Sequence, residues 1–453
     1  SWLSTILVIR FLLPADYGLM AMANVFLGFF FLFADLGFGA AAVQAKTLEK
    51  DELRKMLGMV IIAHVTGFVI LFAGASLVGQ FFEEPRLAPV IRALSFNFLL
   101  LAAAVLPQAQ VLREMEFRIK ARIEVIAMVP SAAITLVMAA TGKGVWALVA
   151  GAITSQAIRT IAYNVARPMF LVPMFSRGPI AGLARFGALI SLSRILFFLY
   201  GQVDVLIGGR ILGTDSIGEY SIALSLAVIP LEKVLPVITQ VSFAAFSRIQ
   251  AEPERVQRNV LRAVQLVSLI CFPAALGMAA VAGDLIPVVV GPHWVHMIVP
   301  FQVLCLTMPF MAINALYAPA ILAMGRPGLN ASNTAVTLAF VTIAAFVGVK
   351  FGVIGLCVAR LIAFPCVLII TSWRTFISLK IPYLEFANKC AFRAAASLVM
   401  AAAVVSFRSA LAPFGVSAWR LGALIAMGAL LYGGLVLLFQ RVVVRDLIGL
   451  VRS

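Results

Sequence analysis

Charge is what this chain has least of. Only 12% of its 453 residues are Asp, Glu, Lys or Arg, and 63% are hydrophobic; a soluble domain has roughly 25% and 45–50%. So few charges cannot coat a water-soluble particle, whereas a bilayer demands this composition. The apolar segments are long and continuous, not ten-residue alternations, which excludes a barrel. The five cysteines (Cys271, Cys305, Cys357, Cys366, Cys390) form no CxxC pair, so neither a disulfide framework nor a zinc site is indicated. Of the three histidines, His64 stands alone, and His293 and His296 in "HWVH" lack a third ligand and read as interfacial anchors beside Trp294. Walker A, HExxH and GxSxG motifs are missing, as is any acidic catalytic cluster, so no ATP-driven step, enzyme activity, metal or cofactor is expected.

Long apolar runs are what is there. A crossing needs about 20 mainly apolar residues. By that measure spans fall near 1–13, 19–44, 57–80, 93–112, 125–141, 145–165 and 186–209, and near 219–246, 263–282, 299–323, 329–349, 353–373, 392–407 and 421–439. The expectation is therefore an all-α polytopic membrane protein of about fourteen helices. Its first helix is short, and further apolar residues are expected upstream of Ser1. With the amino terminus inside, 23 of the 35 Lys/Arg lie in cytoplasmic connections or the tail and eight outside. Both termini are therefore placed in the cytoplasm. The net charge of +16 is spread over one membrane face, which fits topology and anionic lipid better than nucleic acid.

The chain also repeats itself. "RFLLPADYG" (10–18) and "RILGTDSIG" (210–218) share Arg, Leu and Gly at an offset of 200. "GVWALVAGA" (144–152) and "GVIGLCVAR" (352–360) share Gly, Val and Leu. Spans one to six thus map onto seven to twelve in the same orientation, as parallel repeats. The organisation expected is a first lobe at 1–185, a second at 186–380, and two additional helices with a cytoplasmic tail at 381–453. Arg10 and Arg210 read as snorkelling interfacial anchors, and Arg408 as an external-turn residue without a role.

"RFLLPADYG" followed by "ADLGFGAAAVQ" (34–44) resembles the start of the Wzx-like polysaccharide flippases. These belong to the multidrug/oligosaccharidyl-lipid/polysaccharide exporter superfamily. The resemblance continues through "GEYSIALSLAVIP" (218–230), "ITQVSFAAFSRIQAEPERV" (238–256), "VVVGPHWVHMIVPFQVL" (288–304) and "ILAMGRPGL" (321–329). One departure is Ala244–Ala245, where family members often carry a proline before the "SR" turn. The resemblance implies two V-shaped lobes opening alternately to each membrane face, and a cargo of undecaprenyl-diphosphate-linked oligosaccharide. It also implies a bacterial cytoplasmic-membrane location, with polymerase and glycosyltransferases as partners. A multidrug exporter or peptidoglycan-precursor flippase of the same superfamily is an alternative. A membrane-embedded polymerase is another, although the longest external connection, 283–298, carries only Asp284, His293 and His296 as ionisable groups.

Seven ionisable residues fall within spans: Asp35, Arg159, Arg194, Asp204, Glu232, Lys233 and Arg360. Exposing all seven to lipid would cost roughly 20 kcal/mol on insertion scales, so they must face protein or water. By helical periodicity Asn24, Gly28, Phe31 and Asp35 share one face, as do Ser155, Gln156, Arg159 and Tyr163. The candidate substrate-binding residues are Arg159, Arg194, Arg360, Asn24, Gln156 and Tyr163. Candidate coupling or gating carboxylates are Asp35, Asp204 and Glu232; the last lies between Pro230 and Pro236, where an opened backbone is expected.

Overall fold

The computed structural model describes residues 2–35, 50–169, 171–175, 181–249 and 252–440. Among them every regular element is helical, because inside a bilayer each backbone polar group must find its partner within the segment. The helices are α1 (Trp2–Phe11), α2 (Pro14–Asp35), α3 (Lys50–Phe81), α4 (Leu87–Arg113), α5 (Phe117–Ala140), α6 (Val145–Ala166) and α7 (Ala181–Arg248). They continue with α8 (Pro253–Leu285), α9 (Ile298–Ala315), α10 (Tyr317–Ala323), α11 (Pro327–Gly348), α12 (Gly352–Leu379), α13 (Tyr383–Ala410) and α14 (Ala418–Phe439). Among the described residues eleven stretches are long and apolar enough to cross a membrane, so the chain is an all-helical multi-pass membrane protein. Residues 36–44 of the second expected span lie outside the described residues.

Two of the eleven stretches are too long for one crossing. Arg194–Pro236 has 43 residues and Pro327–Leu379 has 53, against about 20 needed. Both are interrupted. Gly213, at φ 80° and ψ −178°, is the non-helical residue within α7. A single 3-10 turn, Val349–Phe351, and Gly352 at φ 75° separate α11 from α12. The opening expected between Pro230 and Pro236 is not found. That stretch stays helical, since proline keeps a helical φ and its missing N–H removes one hydrogen bond only.

The chain divides into two compact units, Ser1–Gly218 and Glu219–Ser453. The helix expected to open the second lobe thus lies in the first unit as far as Gly218. Each unit repeats one set of helix pairings. In the first, α3 packs on α4, α5 on α6 and α4 on α6; in the second, α8 packs on α9, α11 on α12 and α9 on α12. Side-chain hydrogen bonds stitch equivalent seams. Thr160 and Asn164 of α6 donate to the Leu100 and Ala103 carbonyls of α4, each at 2.9 Å. In the second unit Thr371 of α12 bonds Asn314 at 2.8 Å, and Ser372 bonds Tyr317 at 2.7 Å.

The two similar nine-residue frames meet each other. A β-carbon added to Gly18 would lie 1.9 Å from the Thr214 carbonyl oxygen, and one added to Gly218 would lie 1.8 Å from that of Pro14. At the offset of 200, position 14 corresponds to 214 and 18 to 218, so the contact is reciprocal. Only glycine allows backbones so close. The turn after α3 flanks it. Glu84 holds Arg86 through two side-chain bonds of 2.9 and 2.8 Å. That hydrogen bonding pushes the Glu84 carboxyl below its ordinary pKa and the Arg86 guanidinium above its own, with Asp215 and Asp16 adding to the latter. Arg210 has protein partners besides any headgroup. Its Nη1 caps α3 by donating to the Gln80 and Phe81 carbonyls, and its Nη2 lies 2.9 Å from Glu83, the favourable position for a cation at a helix C-terminus.

In the second unit the two last helices are clamped to α8. Asp284 is fully buried and meets Arg408 at 2.5 Å and Arg420 at 3.2 Å. Arg420 also donates to the Gly415 and Arg408 carbonyls, at 3.0 and 3.2 Å. Arg408 lies over Gly283, where any β-carbon would meet its guanidinium at 2.0 Å. It is therefore a structural partner rather than an idle turn residue.

Candidate functional site

An arginine inside an apolar helix must be paired, hydrated or both. Arg159 is both. Its Nε and Nη2 lie 3.2 and 3.0 Å from the same oxygen, Oε2, of Glu124 on α5. The two side chains remain 37% and 43% exposed, so the pair is open to solvent or ligand. Since Oε1 of Glu124 takes no part in this pair, a second carboxylate acceptor and the Nη1 donors are left over. Gln156, one turn before Arg159, donates to Thr160 at 3.4 Å.

Helix α6 turns different residues to its two neighbours. Arg159 and Tyr163 turn toward α5, while Thr160 and Asn164 turn toward α4. Tyr163 does not line an open lumen: it is 1% exposed, with its ring against Val111 and Ile123. Its hydroxyl finds no hydrogen-bond partner.

A cavity of about 340 Å³ lies farther along the same two helices, lined by Ser131 and Thr135 of α5, Gly151 of α6, and Ser4 and Tyr17. Glu124, Ser131 and Thr135 are spaced i, i+7 and i+11, which puts them on one face. Ala152, another lining residue, is seven residues before Arg159. The pair thus sits two helical turns, about 10 Å, below the cavity on shared faces.

The remaining candidates are dispersed. On α2, Asn24 is exposed, Gly28 lies against Phe198, and Phe31 stacks on Phe98 with centroids 4.0 Å apart. Asp35 ends α2 and its side chain lies outside the described residues. On α7, Arg194 is exposed and Asp204 is buried at 2%; Glu232 is exposed and belongs to the second unit. Arg360 is 3% exposed, with Nη1 donating to Tyr220 at 3.3 Å and its guanidinium over the Phe364 ring. Buried so, it is held inside the second unit. Sequence reasoning missed Glu124 because it ends the basic run "REMEFRIKARIE" and was counted as connection. The helix begins at Phe117, which places that carboxylate within it.

No group of three or more His, Cys, Asp or Glu positioned for a metal occurs among the described residues. His64 is structural, its Nδ1 lying 2.8 Å from the Val60 carbonyl.

Residues 7–299 match the family model described as "Polysaccharide biosynthesis protein". The chain is 27% identical over 343 residues to the lipopolysaccharide biosynthesis protein WzxC of Escherichia coli, covering 75% of this chain and 70% of that protein. It is 25% identical over 456 residues to the succinoglycan biosynthesis transport protein ExoT of Rhizobium meliloti, covering 98% and 90%. Among solved structures it is similar to the lipid II flippase MurJ in an inward closed conformation, with TM-score 0.77, 15% identity, and coverage of 99% of this chain and 98% of that one. It is also similar to an inward-facing multidrug resistance MATE family transporter of the MOP superfamily, with TM-score 0.62, 15% identity, and coverage of 83% and 95%.

Proposed function

Because the chain belongs to the polysaccharide biosynthesis protein family, a family of transporters rather than enzymes, we propose that it flips undecaprenyl-diphosphate-linked oligosaccharide across the bacterial cytoplasmic membrane. Surface polysaccharide assembly is the process it would serve. The observation that carries this reading is Arg159, a partly exposed guanidinium inside an apolar helix, two helical turns from a cavity along the same helices. A diphosphate needs a cation desolvated enough to matter yet able to let go. Arginine's planar fork pairs with phosphate oxygens through two donors at once. Arg194, Asn24 and Gln156 are secondary candidates in the same unit, with buried Tyr163 behind the pair, and Arg360 is a separate candidate in the second unit. Asp35, Asp204 and Glu232 remain proposals for coupling or gating.

The topology proposed has fourteen crossings, counting α1, both limbs of α7 and both members of the α11–α12 hairpin. Both termini are cytoplasmic. Two lobes, 1–185 and 186–380, alternate access, and 381–453 is appended. The recurring helix pairings and the reciprocal Gly18–Gly218 contact support the duplication. Polymerase and glycosyltransferases are the partners the process requires. The test is surface polysaccharide in Arg159 variants. Arg159→Ala should abolish it at normal membrane levels of protein, and Arg159→Lys should restore only part. Normal export by Arg159→Ala would remove Arg159 from the site.

A further inference from the structure

The Glu124–Arg159 pair has an unused place beside it. Tyr163 follows Arg159 by one helical turn, and its ring packs on Ile123, the residue before Glu124. Its hydroxyl is buried and unpartnered, an arrangement that costs free energy and calls for an explanation. Glu124 and Arg159 are the charged groups that act on it. Meanwhile Glu124 holds Arg159 through one oxygen only, in a pair more than a third exposed at each end. Such pairs are worth little and exchange readily.

We propose that Glu124 is a swinging carboxylate with two stations. In the empty site it neutralises Arg159. When an anionic diphosphate takes the guanidinium, Glu124 leaves it and accepts the Tyr163 hydroxyl proton in a charge-assisted hydrogen bond. This deepens the proposed function and rests on Arg159 as the diphosphate's cation. The device selects by charge. A diphosphate, with two donors on one guanidinium, displaces the tethered carboxylate more readily than a neutral or singly charged ligand does. Tyr163 makes loading easier by receiving the displaced charge. Release runs in reverse, with Glu124 returning to expel the ligand.

The test uses purified protein in nanodiscs and two probes, geranylgeranyl diphosphate and inorganic diphosphate, at fixed salt. Glu124→Met removes the swinging group itself, losing both the competing pair, worth about 2- to 5-fold, and the bond to Tyr163, worth about 3- to 10-fold. Binding of the lipid probe should therefore lie between about 2-fold tighter and about 5-fold weaker than to wild type. Tyr163→Phe should weaken it by about 3- to 10-fold, the yield of one hydrogen bond. Tyr163→Phe should then have no effect in the Glu124→Met background, because the station has no visitor. Deleting an unpartnered hydroxyl should leave the ligand-free melting temperature unchanged or higher, which separates this role from a structural one. The proposal is overturned if Tyr163→Phe is silent in both backgrounds or weakens both equally. If Arg159→Ala binds the lipid probe like wild type, the underlying site assignment falls as well. If Arg159→Ala loses binding but the two backgrounds agree, only the swinging carboxylate falls. Equal affinity for both probes would assign recognition to the diphosphate alone; a preference for the lipid probe adds the apolar tail.

Discussion

Gly18→Ala should wedge apart the two turns that meet at Thr214 and Pro14. The added methyl carbon would lie 1.9 Å from the Thr214 carbonyl oxygen. Contact distances near 3.5 Å would require the backbones to part by roughly 1.5 Å. That oxygen is main chain in a helical stretch, so no flexible side chain can give way. Overpacking of this kind costs about 1–3 kcal/mol, which shifts a two-state closure by about 5- to 150-fold toward the open form. Ile217, fully buried beside the contact, is the reporter. In a background with the five native cysteines replaced, Ile217→Cys should react slowly with a membrane-impermeant maleimide. Adding Gly18→Ala should speed its labelling from the external side by at least about 5-fold, and surface polysaccharide should fall. Gly218→Ala should do the same, and the double variant should add little, because either methyl already opens the shared contact. Unchanged labelling of Cys-substituted position 217 at normal protein level would refute the reasoning.

Three further outcomes are expected. Reporter fusions after residues 50, 118 and 252 should read cytoplasmic and those after 84 and 290 external; a thiol at 252 labelled in sealed, right-side-out cells contradicts the orientation. Asp284→Asn should lower stability by about 3–5 kcal/mol by orphaning two arginines, seen as a lower melting temperature in detergent; an unchanged melt contradicts the clamp. The Glu84 carboxyl has its pKa depressed by Arg86, so its contribution is present above the ordinary carboxylate range and is lost as pH falls through the lowered value. Glu84→Gln should flatten the loss of melting temperature below about pH 4; an identical acid profile in the variant contradicts the assignment.

The fold was legible where hydrophobicity alone decides it. Apolar runs such as 57–80 and 421–439 each became a helix, because in lipid there is no other way to satisfy the backbone. Continuity was harder. The prolines at 230 and 236 suggested an opening that is not there, whereas the break at Gly213 falls within 210–218, the connection expected between two spans. The repeated frames could be read as sequence, but not that they touch: reciprocity needs three dimensions. In the site, Arg159 stood out as a charge in an apolar helix. Its partner did not, because Glu124 sits where a basic connection and a helix overlap. Tyr163 shared the expected face, and only packing against α4 and α5 shows that its ring is buried. Arg408 was misread because its partner, Asp284, is 124 residues away.

The central claim is that a diphosphate-linked, lipid-borne glycan crosses the membrane past Arg159. Its most direct test is transbilayer movement of a fluorescent polyprenyl-diphosphate oligosaccharide in proteoliposomes, followed by chemical quenching of the outer leaflet. Wild-type protein should bring the inner-leaflet label into reach of the quencher without ATP, whereas Arg159→Ala, reconstituted to the same density, should leave it protected as in protein-free vesicles. Equal movement by the two proteins would contradict the role of Arg159, and no movement by wild type under an imposed ion gradient or membrane potential of either sign would contradict the transport reading itself.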